Sequence, residues 1–492
     1  MRSVVAVVVG SWLLGVGCGR LGYEPGDAAS AGETDAWGLD VGPPIDATFD
    51  APGLDAPSID AALDAPMPDA PMPDAPMPDA PMPDAVPPDA AQPDAGAPLL
   101  TDAAVLPGDV DPRCFTIAGD RYDEAGNGSP GDPYLICTGT QLQSFLDDGP
   151  DSFAYVLGDD IVLDTWNTRP SFLGTLDGNG HEVRLMTFAI DPMFGDLSGT
   201  VRHLRMRTSI DSSFRDRVGA LAGSASGQIT DVHLVTDFVS GQDETGGLVG
   251  QCNACRISDV SIVVARISGR ATVGGVVGNM FAGTVDRARV RVTQIDARVT
   301  TGCSRLGGVV GYAHDGATVD EAFADVGIVL STGGAGGVVG ELALGSSARD
   351  VAATGRVVIA GGDCPVGAGG LVGDLGGSLQ RGWANLRNPT AGIVDRVSLG
   401  ATVRDVAGLT TGLGSPERVL RSCTIGSTIT NTAVLDDGTP ATGTLVCAFM
   451  APRTSTDPLY FNDASNAPMS SWDSTLWSFA PERLPMLARI PP

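Results

Sequence analysis

The chain has no lysine, and all 30 of its basic residues are arginine. That usage suits a GC-rich genome and implies nothing about mechanism. Histidine is almost as scarce. His181, His203, His233 and His314 are the whole set, and none stands at ligand spacing from another or from a cysteine. Each reads as a surface or turn residue, and no metal or cofactor is expected. A basic patch is also missing, and the formal net charge is −29. Binding to nucleic acid or to an anionic membrane surface through electrostatics is therefore excluded, while cationic partners remain open. No catalytic constellation stands out.

The acidity is unevenly placed. Between Leu21 and Pro112 there are 19 Asp and Glu and no Arg. Within that stretch Asp-Ala-Pro-Met-Pro repeats from Asp64 to Pro83. Proline removes backbone donors, aspartates repel one another, and the apolar content is too thin to offset the ordering entropy. A disordered, extended spacer is expected. A Ca²⁺-loaded tract is disfavoured because the clustered oxygen ligands are missing.

Ahead of it, Met1 and Arg2 precede an apolar run over residues 3–14, which reads as a signal peptide and is too short to span a bilayer as a helix. The stretch Leu14-Gly15-Val16-Gly17-Cys18 resembles the lipobox of bacterial lipoproteins, although Gly15 stands where leucine is usual. That resemblance implies a lipid on Cys18, and Gly19 after it implies sorting to the outer membrane. An ordinary cleaved signal is the alternative.

The body is organised around a short glycine phrase. GGLVG begins at Gly246, with copies at Gly219 (GALAG), Gly274, Gly307, Gly336 and Gly369, at spacings of 27, 28, 33, 29 and 33 residues. That is the period of a solenoid coil. A strand of alternating apolar residues follows each phrase, as in Ile257, Val260, Ile262 and Val264, or Val285, Ala288, Val290 and Val292. Short strands separated by glycine corners predict an all-β parallel β-helix with coils about 4.8 Å apart. The glycines are expected to supply unusual φ or close backbone approach. A phosphate-binding loop is excluded because no βαβ unit surrounds them.

Upstream, Pro133-Tyr134-Leu135-Ile136, a short amphipathic helix near 141–146, and Gly174-Thr175-Leu176-Asp177-Gly178-Asn179-Gly180-His181 precede the repeats. Together with the GGLVG copies and a Trp-rich end, this order resembles GLUG-motif repeat proteins over roughly residues 130–490. The resemblance implies a β-helix and a noncatalytic or adhesin-like surface role. It also implies a closing segment at Trp472, Trp477, Pro485 and Met486, read here as a cap over the last coil, with sugar stacking on exposed tryptophan as the rival.

The resulting organisation is signal peptide 1–17, anchor and stalk 18–113, opening coils and N-terminal cap 114–217, GLUG-like repeats 218–414 and C-terminal cap 415–492. Eight cysteines besides Cys18 favour pairing in an oxidising compartment. The expected pairs are Cys114–Cys137, Cys252–Cys255 and Cys423–Cys447, with Cys303–Cys364 as a staple between long corner loops. Aligning the coils puts Asp231, Asp259, Arg287, Glu321, Asp350 and Arg381 in one column. Asp231 beside Asp259 is then a like-charged pair that raises one pKa, holds a cation or mimics a retaining glycosidase. The plainer reading is a mixed-charge solvent ladder. The expected function is a noncatalytic outer-membrane lipoprotein that displays a β-helix for adhesion or envelope interaction, with a surface polysaccharide or protein as ligand. The alternative is a polysaccharide lyase or glycoside hydrolase of β-helix type.

Overall fold

The computed structural model describes residues 109–492 except 118, 298–302, 332, 357, 360–366, 388–391, 412–419, 425, 436–447, 450–452, 456–457, 481–482 and 489–492. The signal peptide, Cys18 and the acidic tract lie outside the described residues. The body is an all-β parallel solenoid. Among the described residues, twenty-six strands belong to one hydrogen-bonded network and six to a second, all paired in parallel, and the hairpin Trp477–Ala480 with Arg483–Leu487 is the one antiparallel strand pair.

One coil shows how the sequence produces this. Thr272–Gly274 leads into the phrase and Val277–Ala297 leaves it as a single continuous strand. That strand turns a corner without losing its ladder. Asp286 pairs with Asp320 and Ala288 with Ala322, while Arg287 and Glu321 between them are left-handed, with φ of 50° and 46°. A single residue in this conformation redirects the chain and lets hydrogen bonding resume at once. It also explains why the apolar alternation steps by three, from Ile257 to Val260, at the same place.

The interior is filled by like residues stacked in register. Val201, Ile229, Ile257, Val285, Val319, Ala348, Leu379, Val403 and Ile429 form one such row, each buried. No coil buries its own apolar edge alone, so the stack is stable only as an array.

The phrase works through close approach and not through unusual φ, since none of its glycines is among the positive-φ residues. A Cβ on Gly274 would lie 2.0 Å from the Val277 carbonyl, and one on Gly278 would lie 2.6 Å from the Thr245 amide. The strands before and after the phrase therefore meet backbone to backbone. The middle glycine serves the core instead: a Cβ on Gly308 would stand 2.0 Å from the Gly337 carbonyl and 2.7 Å from the Ala324 methyl. Leu248 and Val249 are both fully buried.

At the amino-terminal end the helix Gly139–Asp147 is capped by Thr138 and buries Leu142, Phe145 and Leu146 in the first coils. Arg169 is fully buried beneath it. Its guanidinium donates to the Phe145 carbonyl, to Gly149 O at 2.6 Å and to Asp151 Oδ2 at 2.6 Å, and lies 4.4 Å from the Phe145 ring centre. It thereby satisfies carbonyls that the end of a helix leaves open.

The other end differs from the expected cap. Coils continue through Leu420–Cys423, Thr428–Leu435, Ala448–Phe449 and Arg453–Ser455. The closing segment lies along the flank of earlier coils. Phe461, Met469, Trp472 and Trp477 bury themselves against Ala352, Trp383 and Ala407. Those three face outward because Val351, Ala353, Ala384 and Val406 take the inward positions of the same strands.

Candidate functional site

Two rows of side chains run along the outside of the stack. The first is the charged column, whose members Asp231, Asp259, Arg287, Glu321, Asp350 and Arg381 all occupy left-handed corners, joined by His203, Asp405 and Asn431. Several of these charges are spent within the column. Arg287 grips Asp259 at 2.6 and 2.8 Å, Arg381 grips Asp350 at 2.8 and 2.6 Å, and Asn431 donates to Asp405. Asp231 is 3.3 Å from His233 Nε2.

The like-charged pair is thus corrected. With Arg287 beside it, the Asp259 carboxyl is held below its usual pKa, the opposite of what a bare neighbouring carboxylate would do. Among the described residues no group of three or more His, Cys, Asp or Glu is placed to hold a metal. The tryptophans read this same column: Trp477 Nε1 donates to Asp350 Oδ1 and Trp472 Nε1 to the Asp405 carbonyl, both at 2.9 Å. Trp472 and Trp477 are 6% and 1% exposed, so neither offers a face to a sugar.

The described cysteines are all held in disulfides. Disulfides join Cys114 to Cys137 and Cys252 to Cys255. Cys303 and Cys423 are disulfide-bonded as well, while Cys364 and Cys447 lie outside the described residues.

The second row was not visible as a site in the sequence. It follows the strands that leave the phrase, where Gln251, Asn279, Tyr312, Glu341, Asp374 and Arg396 stand in register. Glu244 and Arg305, on the strands that enter the phrase, share a face with Gly246 and Gly307 by period-two alternation and so reach this row. Glu244 Oε1 accepts from Asn279 Nδ2 at 2.6 Å, and Arg305 is bonded to Glu341 and lies 4.4 Å from the Tyr312 ring centre.

Two residues further on, Phe281 and His314 follow the paired Met280 and Ala313. Their rings stack with centres 4.4 Å apart at 19°, and the imidazole centre is 3.8 Å from that of Tyr312. His314 Nε2 is 2.8 Å from Asn279 Oδ1. Burial, with Arg305 adding to it, lowers the His314 pKa, and burial followed by Glu341 raises that of Tyr312. Burial likewise raises the Glu244 pKa.

Three of the histidines keep to turns and corners as expected, with His181 closing the turn from Gly178 and His314 opening the turn to Ala317, but these two are less exposed than a surface position implies. His314 is half-buried in the ring stack, and His181 is fully buried, 3.3 Å from Asp160. His203 does occupy a corner, 3.0 Å from Asp177.

No family model matches the chain, and no curated protein matches it. A solved structure, a putative immunoglobulin A1 protease from Bacteroides ovatus, is similar over 75% of this chain and 96% of that one, with 17% identity and a TM-score of 0.35. A likeness that slight carries no argument about activity.

Proposed function

We propose that this chain is a noncatalytic lipoprotein of the outer membrane, anchored through Cys18, which holds a rigid β-solenoid away from the envelope to bind a surface ligand along its flank. The observation that carries the reading is the ring stack of Phe281, His314 and Tyr312, with Phe281 40% exposed, mounted on strands locked by ladders in adjacent coils. A binding surface of this kind is preorganised, because its side chains are fixed before any ligand arrives. The acidic tract between Cys18 and the coils suits a spacer.

Whole cells expressing the full chain test this. Protease added outside is expected to remove the solenoid, and Cys18→Ala is expected to release the protein from the membrane fraction. Unchanged fractionation of the variant would remove the anchor from the proposal.

One observation favours the lyase alternative. A histidine kept neutral beside a tyrosine is a combination suited to taking and returning a proton. Incubation with a uronate polysaccharide, followed by the ultraviolet absorbance of an unsaturated product, decides between the two readings.

A further inference from the structure

The hydrogen bonds around His314 settle which of its nitrogens is available. Glu244 Oε1 accepts from the Asn279 side-chain nitrogen at 2.6 Å, which turns the amide oxygen of Asn279 the other way. The Asn279 oxygen then faces His314 Nε2 at 2.8 Å, and that nitrogen must carry the hydrogen. With its pKa lowered, the imidazole is neutral near pH 7. Nδ1 is left as a lone-pair acceptor that has no protein donor among the described hydrogen bonds.

The surface continues beyond the rings. In register with Phe281 and His314, later coils carry Ala343, Gly376 and Ser398, since Ala313, Leu342, Leu375 and Val397 pair in turn. The loss of large side chains there opens a depression of about 240 Å³ bordered by Glu341, Leu344, Asp374 and Leu399. Leu344 and Leu399 are 69% and 66% exposed. Four coil steps of about 4.8 Å make the strip from Phe281 to Ser398 roughly 19 Å long.

The chemistry of the strip is one-sided. It offers ring faces and leucines for an apolar surface, and Nδ1 with the Glu341 and Asp374 carboxylates as acceptors. Arg305 and Arg396 are already bonded to Glu341 and Asp374. A ligand suited to it is rich in hydroxyl donors, has flat apolar faces, and carries no negative charge.

Resting on the display reading above, we propose that this strip binds a neutral oligosaccharide, with a pyranose ring stacked on Phe281 and a hydroxyl donating to His314 Nδ1. The length favours several sugar units over one. Anionic glycans are disfavoured because the arginines of the strip, Arg305 and Arg396, are already paired with Glu341 and Asp374.

Titration calorimetry of the full chain with cellohexaose, mannohexaose and chitohexaose, with polygalacturonate as the anionic control, is the test. At least one neutral hexaose is expected to bind, and the control is not. Phe281→Ala is expected to weaken binding about tenfold. His314→Phe, which keeps a ring and removes the acceptor, is expected to weaken it by a similar factor while the protein still melts cooperatively, with a midpoint lowered slightly by loss of the bond to Asn279. Should Phe281→Ala disturb folding, Leu344→Asp at an exposed position replaces it, with weaker binding expected. Absence of binding to all three hexaoses at millimolar concentration, preference for polygalacturonate, or wild-type affinity in folded variants overturns the proposal. Failure here with intact surface exposure removes the sugar site alone, whereas loss of membrane anchoring with intact binding removes the display reading alone.

Discussion

A left-handed backbone is costly for any residue with a side chain, by about 1–2 kcal/mol, and asparagine and aspartate bear it best. The corner column is therefore a series of sites where side-chain chemistry compensates for backbone strain. Asp231→Asn keeps a tolerant residue and is expected to leave stability within about 0.5 kcal/mol, whereas Asp231→Val, branched at Cβ, is expected to cost about 2 kcal/mol. Asp259→Asn differs, because it removes a two-pronged ion pair from Arg287; a loss of about 1 kcal/mol in denaturant melts is expected at neutral pH. The folded pKa of Asp259 lies below the unfolded value, so its contribution is present above about pH 4 and is lost as pH falls through the folded pKa. The difference between wild type and variant should accordingly shrink in acid. At the phrase the constraint is space. Gly308→Ala places a methyl against the Gly337 carbonyl, and a loss of about 3 kcal/mol or more is expected in the same melts.

At the scale of elements, the closing segment acts as a latch on the flank. Ending the chain at residue 457 uncovers Trp383, Ala352 and Ala407, which then form an exposed apolar patch. The truncated protein is expected to bind a hydrophobic dye, and to melt several degrees lower while keeping its far-ultraviolet β signal. An unchanged melting point would show that the latch adds nothing.

The same scale shows what the sequence made legible. The phrase announced the coil, and aligning coils on it recovered the corner column. Its left-handed conformation was hidden because Arg287, Glu321 and Arg381 are not the residues that ordinarily mark it. The step from Ile257 to Val260 was the available signal. The ring strip was missed for a related reason: Phe281 and His314 are different residue types in coils of unequal length. Counting three residues on from Gly278 and from Gly311 brings them together. The tryptophans were legible as packing residues, but a linear sequence does not say which coils a closing segment reaches back to.

For the whole molecule, register is the governing quantity. Removing residues 249–276 joins Leu248 to Val277, which are at equivalent ends of successive coils, and restores an intact phrase. Such a protein is expected to fold as a shorter stack with a cooperative melt. A deletion one residue smaller sends inward side chains outward in the following strand, and is expected to yield insoluble protein. Equal behaviour of the two would mean that the coils are not interchangeable units.

The bond from Trp477 to Asp350 spans 127 positions of sequence. It joins the end of the chain to coils that must already be stacked, so the latch is among the last contacts to form. Interactions absent from the folding transition state slow unfolding and leave folding almost unaffected. The closing segment therefore governs how long the solenoid survives once made, a matter of lifetime, while the speed of its assembly is set by the coils alone.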